Sequence, residues 1–174
     1  MAQQYFTDSE WSMLMQAPWQ AIAALVLADK TDPVSFLKEL RAALEIMVTE
    51  QQREDITNDL VKSLVASLNQ ADAKRGLEGE ALMLQKQTEL LSYLQNLDNA
   101  SQGRQQALTY FEEVAKILAA KVTPMQAGEF KNWILSIARR VAEAVREKGF
   151  FGVGTSNEEM SMIRKLEETL TIKV

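Results

Sequence analysis

The chain of 174 residues is long enough to enclose one sizeable core, and its 47% hydrophobic and 25% charged residues form an ordinary globular balance that argues against disorder. It contains neither cysteine nor histidine, which excludes disulfides, thiolate nucleophiles, Ser-His-Asp triads and zinc hydrolase sites. The net charge of −5 and pI of about 4.9 argue against nonspecific nucleic-acid binding.

The helical period dominates the pattern. A first helix opens at Thr7, which forms a capping box with Glu10. Trp11, Leu14 and Met15 begin its apolar face, and Ile22, Leu25 and Val26 resume it to about residue 29. Pro18 lies inside this segment and should kink or split it. A second helix starts with Asp32 as N-cap and Pro33 at the first helical position, with Leu37, Leu40, Leu44, Met47 and Val48 on one face. A third covers about 57–70, with Leu60, Val61, Leu64, Val65 and Leu68 together. Residues 74–79 read as a connection, because two glycines fall within six residues.

A fourth helix covers about 80–96, striped by Met83, Leu90, Leu94 and Leu97 with Leu91 beside them. Residues 99–103 read as a turn. The fifth helix runs from there to about 120, with Leu108, Phe111, Ala115 and Leu118 inward. The sixth has the best start in the chain: Thr123 as N-cap, Pro124 behind it, Gln126 completing a capping box. Its face is Phe130, Trp133, Ile134, Ile137, Val141 and Val145, ended by Gly149. After a loop at 149–155, Ser156 and Glu159 form a third capping box for a helix carrying Met160, Ile163, Leu166 and Leu170. No segment alternates long enough to be a persuasive strand. The expectation is an all-α fold, a compact array of about seven helices in a single domain spanning 1–174.

Order is partly repeated along the chain. With Pro33 set on Pro124, Ala28, Lys30 and Pro33 fall on identical residues, Asp32 falls on Thr123, and Trp19 falls on Tyr110. Residues 74–79 resemble 147–152 in the same order. Duplicated helical units at 1–98 and 99–174 would explain this; so would the shared physics of helix–Pro–helix junctions.

The most apolar run, residues 21–28, is far shorter than the roughly 20 residues a bilayer requires. The first residues lack a basic stretch followed by an apolar one, so no secretory signal is read and a cytoplasmic location is expected. The loop at 149–156 is the most unusual segment. Its glycines precede a helix N-terminus, which favours anions, so Gly152, Gly154, Thr155 and Ser156 are candidate ligand-binding residues. The loop follows a helix and lacks the lysine of a P-loop. Phe150 and Phe151 are candidates for a partner surface if exposed and for core if buried.

Asp29 and Asp32, with Glu10 if the first helix folds back, are the best carboxylate cluster, but they match no calcium loop, and no metal or cofactor is assigned. The adjacent pairs Glu112–Glu113, Glu158–Glu159 and Glu167–Glu168 point about 100° apart on a helix and read as solvated faces, as do Arg139 and Arg140. Trp11, Trp19, Trp133 and the 8 methionines read as core, with a peptide-binding groove as the alternative.

The stretch 140–159, a helix ending in Gly149-Phe-Phe-Gly-Val-Gly154 before Ser156, resembles an uncharacterised bacterial all-helical family with a GFxGxG-type loop before a Ser-capped helix. With the Ala28-Asp29 dipeptide it is also faintly similar to the TerB tellurite-resistance family. The resemblance covers about a third of the chain and implies an all-helical fold with a stress-linked role. TerB-like loops are acidic, whereas this one has no Asp or Glu, so no metal ligands are carried over. The leading reading is a noncatalytic protein-interaction or self-associating module, its partner a protein or a second copy, with no role for nucleic acid or membrane. The alternatives are a small-ligand or anion-binding protein using 149–156 and, behind it, a carboxylate or metal-dependent enzyme.

Overall fold

The computed structural model describes residues 2–28, 33–97, 99–147 and 157–171, with 33–35 and 145–147 as backbone alone. Among these the chain is all helix. A short 3-10 turn, Ala2–Tyr5, precedes α1 (Asp8–Met15), α2 (Ala17–Val26), α3 (Pro33–Gln51), α4 (Asp59–Ala73), α5 (Gly79–Gln95), α6 (Ala100–Lys121), α7 (Pro124–Glu147) and α8 (Asn157–Leu170). No described helix is long and apolar enough to cross a membrane.

The first expected helix is two. α1 ends at Met15, and Pro18 occupies the first turn of α2, where its missing N–H would have no intrahelical acceptor in any case. The break reorients the chain so that α2 becomes the centre of the array. Ala17, Pro18, Ala21, Ile22, Ala23, Ala24, Leu25 and Val26 are all buried. A helix that is apolar on every side must be covered on every side, and α2 packs against α1, α3, α6, α7 and α8. Arg104 on α6 donates at 2.7 Å to the carbonyl of Leu27, placing a cation at the end of α2 where the dipole is negative.

Where local chemistry sets a helix start, the expected caps are present. Thr7 Oγ1 accepts from Glu10 N and Glu10 Oε2 from Thr7 N. Thr123 and Gln126 form the same reciprocal pair. Pro33 begins α3, while Asp32, Gly149 and Ser156 lie outside the described residues. α4 starts two residues later than expected, because Asn58 Oδ1 accepts from Val61 N and is the cap. The connection at 74–79 needs glycine: Gly76 and Gly79 sit at φ +69° and +56°.

Residues 99–103 are a correction. They are not a free-standing turn; Asn99 caps the helix by accepting from Gln102 N, and Gly103 is a buried residue inside α6. A Cβ there would lie 2.6 Å from Leu97 Cδ1 and 2.7 Å from Leu27 Cδ1. Glycine at this position lets both leucines lie on the helix.

The stripes largely face inward. All five apolar residues named on α4 are buried, as are Phe130, Trp133, Ile134, Ile137 and Val141 on α7. Several expectations shift, and Met125, read as core, is 72% exposed. Leu37 is exposed on α3, and Ala115 is only half-buried while its neighbour Val114 fills the core. On α8 the buried row is Glu159, Met162, Leu166 and Leu170, so Met160 is half exposed and Ile163 only packs at the edge. Burying Met162 turns Met160 outward, since residues two apart face about 200° around the helix.

Candidate functional site

The residues singled out by sequence for ligand binding, Gly152, Gly154, Thr155 and Ser156, and for a partner surface, Phe150 and Phe151, lie outside the described residues, as do Asp29 and Asp32. Glu10 is committed elsewhere. Its carboxylate accepts from the Thr7 backbone N–H, which holds it below the usual carboxylate range, and Lys121 sits 3.5 Å away. Among the described residues no group of three or more Asp or Glu side chains is arranged to hold a metal ion.

Three other places gather polar groups. The first is Glu50, at the end of α3 and wholly buried. Its carboxylate accepts from Trp133 Nε1 and Arg53 Nη1, each at 3.1 Å, and from Arg140 Nη1. Arg140 thus departs from the solvated-face expectation, while Arg139 beside it is exposed. Trp133 and Arg140 are seven residues apart on α7 and share a face. Every oxygen of Glu50 is engaged by a donor, and two of the donors are cationic. Such a carboxylate ties α3 to α7; it is a poor general base.

The second is Lys86 on α5, only 4% exposed. Its ammonium lies 2.5 Å from Asp72 Oδ2 on α4, 3.5 Å from Gln51 Oε1 on α3, and 5.8 Å from the Trp19 ring centroid on α2. Gln51 Nε2 donates to Asn69 Oδ1 at 3.1 Å and to Asp72 Oδ2 at 2.9 Å, and Asn69 Nδ2 donates back to the Gln51 carbonyl. One charge therefore joins four helices. Two clefts flank it. One, of about 350 Å³, opens between α3, α4 and α5 beside the bidentate Arg41–Glu80 pair. The other, of about 240 Å³, lies between α2 and α5.

The third is a groove of about 320 Å³ between α7 and α8, with Ala142, Met160 and Ile163 flanked by Arg139, Glu143, Arg164 and Glu167. These four charged side chains make no ion pair with any described residue.

Sequence inspection passed over Glu50 and Lys86 and read Arg140 as surface charge. A signal existed, since each falls at the spacing of an apolar stripe: Glu50 three after Met47, Lys86 between Met83 and Leu90, Arg140 three after Ile137. A charge on a stripe reads as a gap unless its partner on another helix is known. Comparison of the chain with protein-family models, with curated proteins and with solved structures finds no match.

Proposed function

We propose that the protein is a noncatalytic, self-associating helical module whose contact surface is the groove between α7 and α8. One observation carries this reading: the groove has an apolar floor and a rim of two arginines and two glutamates that find no partners within the described chain. A rim of zero net charge with both signs on it is self-complementary. A two-fold axis brings the same patch onto itself, so Arg139 and Arg164 of one copy can meet Glu143 and Glu167 of the other. Met160, half exposed, supplies the apolar anchor. Two carboxylates, wholly buried Glu50 and partly buried Asp72, are engaged by cations, which favours a structural role for them over acid–base work.

Sedimentation velocity across a concentration series tests the reading. Wild type should dimerise, Met160→Glu should be monomeric with an unchanged melting temperature, and Arg139→Glu should weaken association. Combining Arg139→Glu with Glu167→Arg should restore part of it. A wild-type chain that stays monomeric at every concentration refutes the proposal.

A further inference from the structure

The fold sorts the methionine sulfurs by their access to water. Met47 and Met162 are buried, and Met13, Met15 and Met83 pack against the core. Among the described residues two methionines are exposed, Met125 at 72% and Met160 at 50%. Met160 lines the groove between α7 and α8. Met125 stands in the first turn of α7 and is not part of that groove. By helix rise alone it lies about 20 Å from Arg139, the first groove residue on α7.

Access matters because oxidation of a thioether follows its exposure. A peroxide that reaches Met160 is attacked by a sulfur lone pair. An S–O bond forms as the O–O bond breaks, and the departing hydroxide takes the proton of the transferred oxygen and leaves as water. Sulfur loses two electrons and the peroxide gains them. The flexible apolar side chain becomes a polar sulfoxide.

We propose that Met160 is an oxidation site through which peroxide disperses the self-associated form of the chain. The proposal rests on the reading of the α7–α8 groove as the contact between two copies. A two-fold axis carries both Met160 side chains into that contact, so each sulfoxide affects a surface that both copies share. There it must either shed its water or draw Arg139 or Arg164 off a glutamate of the other copy. Association in turn covers Met160, so the dimer resists an oxidant that the monomer admits.

The test treats the full chain with hydrogen peroxide at low and high protein concentration. Tandem mass spectrometry of tryptic peptides locates the added oxygen, and sedimentation velocity follows association. At low concentration Met125 and Met160 should both be oxidised while Met162 is spared. At high concentration Met160 should be protected severalfold relative to Met125, which serves as internal reference. Oxidation at Met160 should raise the dimer dissociation constant by roughly tenfold or more. Methionine sulfoxide reductases for both epimers, with a dithiol that ends as disulfide while the oxygen leaves as water, should reverse the change. Met125→Leu should respond to peroxide as wild type does, whereas the dissociation constant of Met160→Leu should not move. A chain that dimerises equally well with Met160 oxidised overturns this proposal and leaves the groove reading standing. So does a Met160→Leu protein that peroxide still disperses. A chain that is monomeric at every concentration overturns both.

Discussion

Replacing Glu50 by glutamine exchanges one oxygen of a buried carboxylate for an N–H₂ group and removes its charge. The carboxylate is wholly buried and faces three donors. An amide offers a single acceptor atom, so at least one donor must face another donor. The cheaper arrangement keeps the oxygen on Trp133 Nε1, because that indole is only 6% exposed and would otherwise be stranded. The new N–H₂ then points at Arg140. The Arg140 side chain is 38% exposed and that of Arg53 33%, so both can turn to water, and their lost pairing costs at most about 1 kcal/mol each. The amide N–H₂ is left buried without an acceptor, at about 1–3 kcal/mol. The sum is a loss of roughly 1–5 kcal/mol, centred near 3, a large part of the roughly 5–15 kcal/mol that holds a domain together. Urea unfolding followed by tryptophan fluorescence should show the midpoint falling by about 1–2 M at unchanged slope. Trp133→Phe combined with Glu50→Gln should cost about 1 kcal/mol less than the sum of the two, since without the indole donor the amide oxygen is free to turn to Arg140. A loss below about 0.5 kcal/mol, or strict additivity, would show that the Glu50 contacts do not hold α3 to α7.

Burial pushes the Tyr110 phenol well above its ordinary value, and its hydroxyl donates to the Met13 carbonyl. The unfolded chain therefore loses this proton first as pH rises past about 10, and stability should fall there by about 1.4 kcal/mol per pH unit from this group; Tyr110→Phe should flatten that alkaline slope in melts between pH 9 and 11 (roughly the window set by free tyrosine). Thr123→Ala removes the α7 cap and should cost about 1 kcal/mol, seen as a fall of roughly 2–4 °C in melting temperature. Gln20→Leu should raise the melting temperature of the free protein, because it deletes an acceptor with no partner. Phe130→Ala, at a fully buried position, should lose about 3–5 kcal/mol by urea unfolding.

The helix starts were legible because they depend on neighbours in sequence. Thr7 with Glu10, and Thr123 with Pro124 and Gln126, needed nothing beyond the first turn of their own helices. The α4 stripe was legible for a similar reason: five branched apolar residues share one side. α8 was harder. Its buried row begins with Glu159, and that carboxylate hid Met162, so the expected face held at Leu166 and Leu170 but placed Met160 inward in its stead. Gly103 looked like a turn because its reason for being glycine, the approach of Leu27 and Leu97, is tertiary. The same holds for Lys86, whose partners Asp72, Gln51 and Trp19 come from three other helices.

The central position of α2 has a consequence for biosynthesis. The segment leaves the ribosome early, whereas α6, α7 and α8, which cover three of its sides, lie in the second half of the chain. At roughly 5–20 residues per second, its oily surface waits several seconds for them. Nascent chains halted before α6 should therefore recruit holding chaperones at this helix, and release should coincide with the emergence of α7.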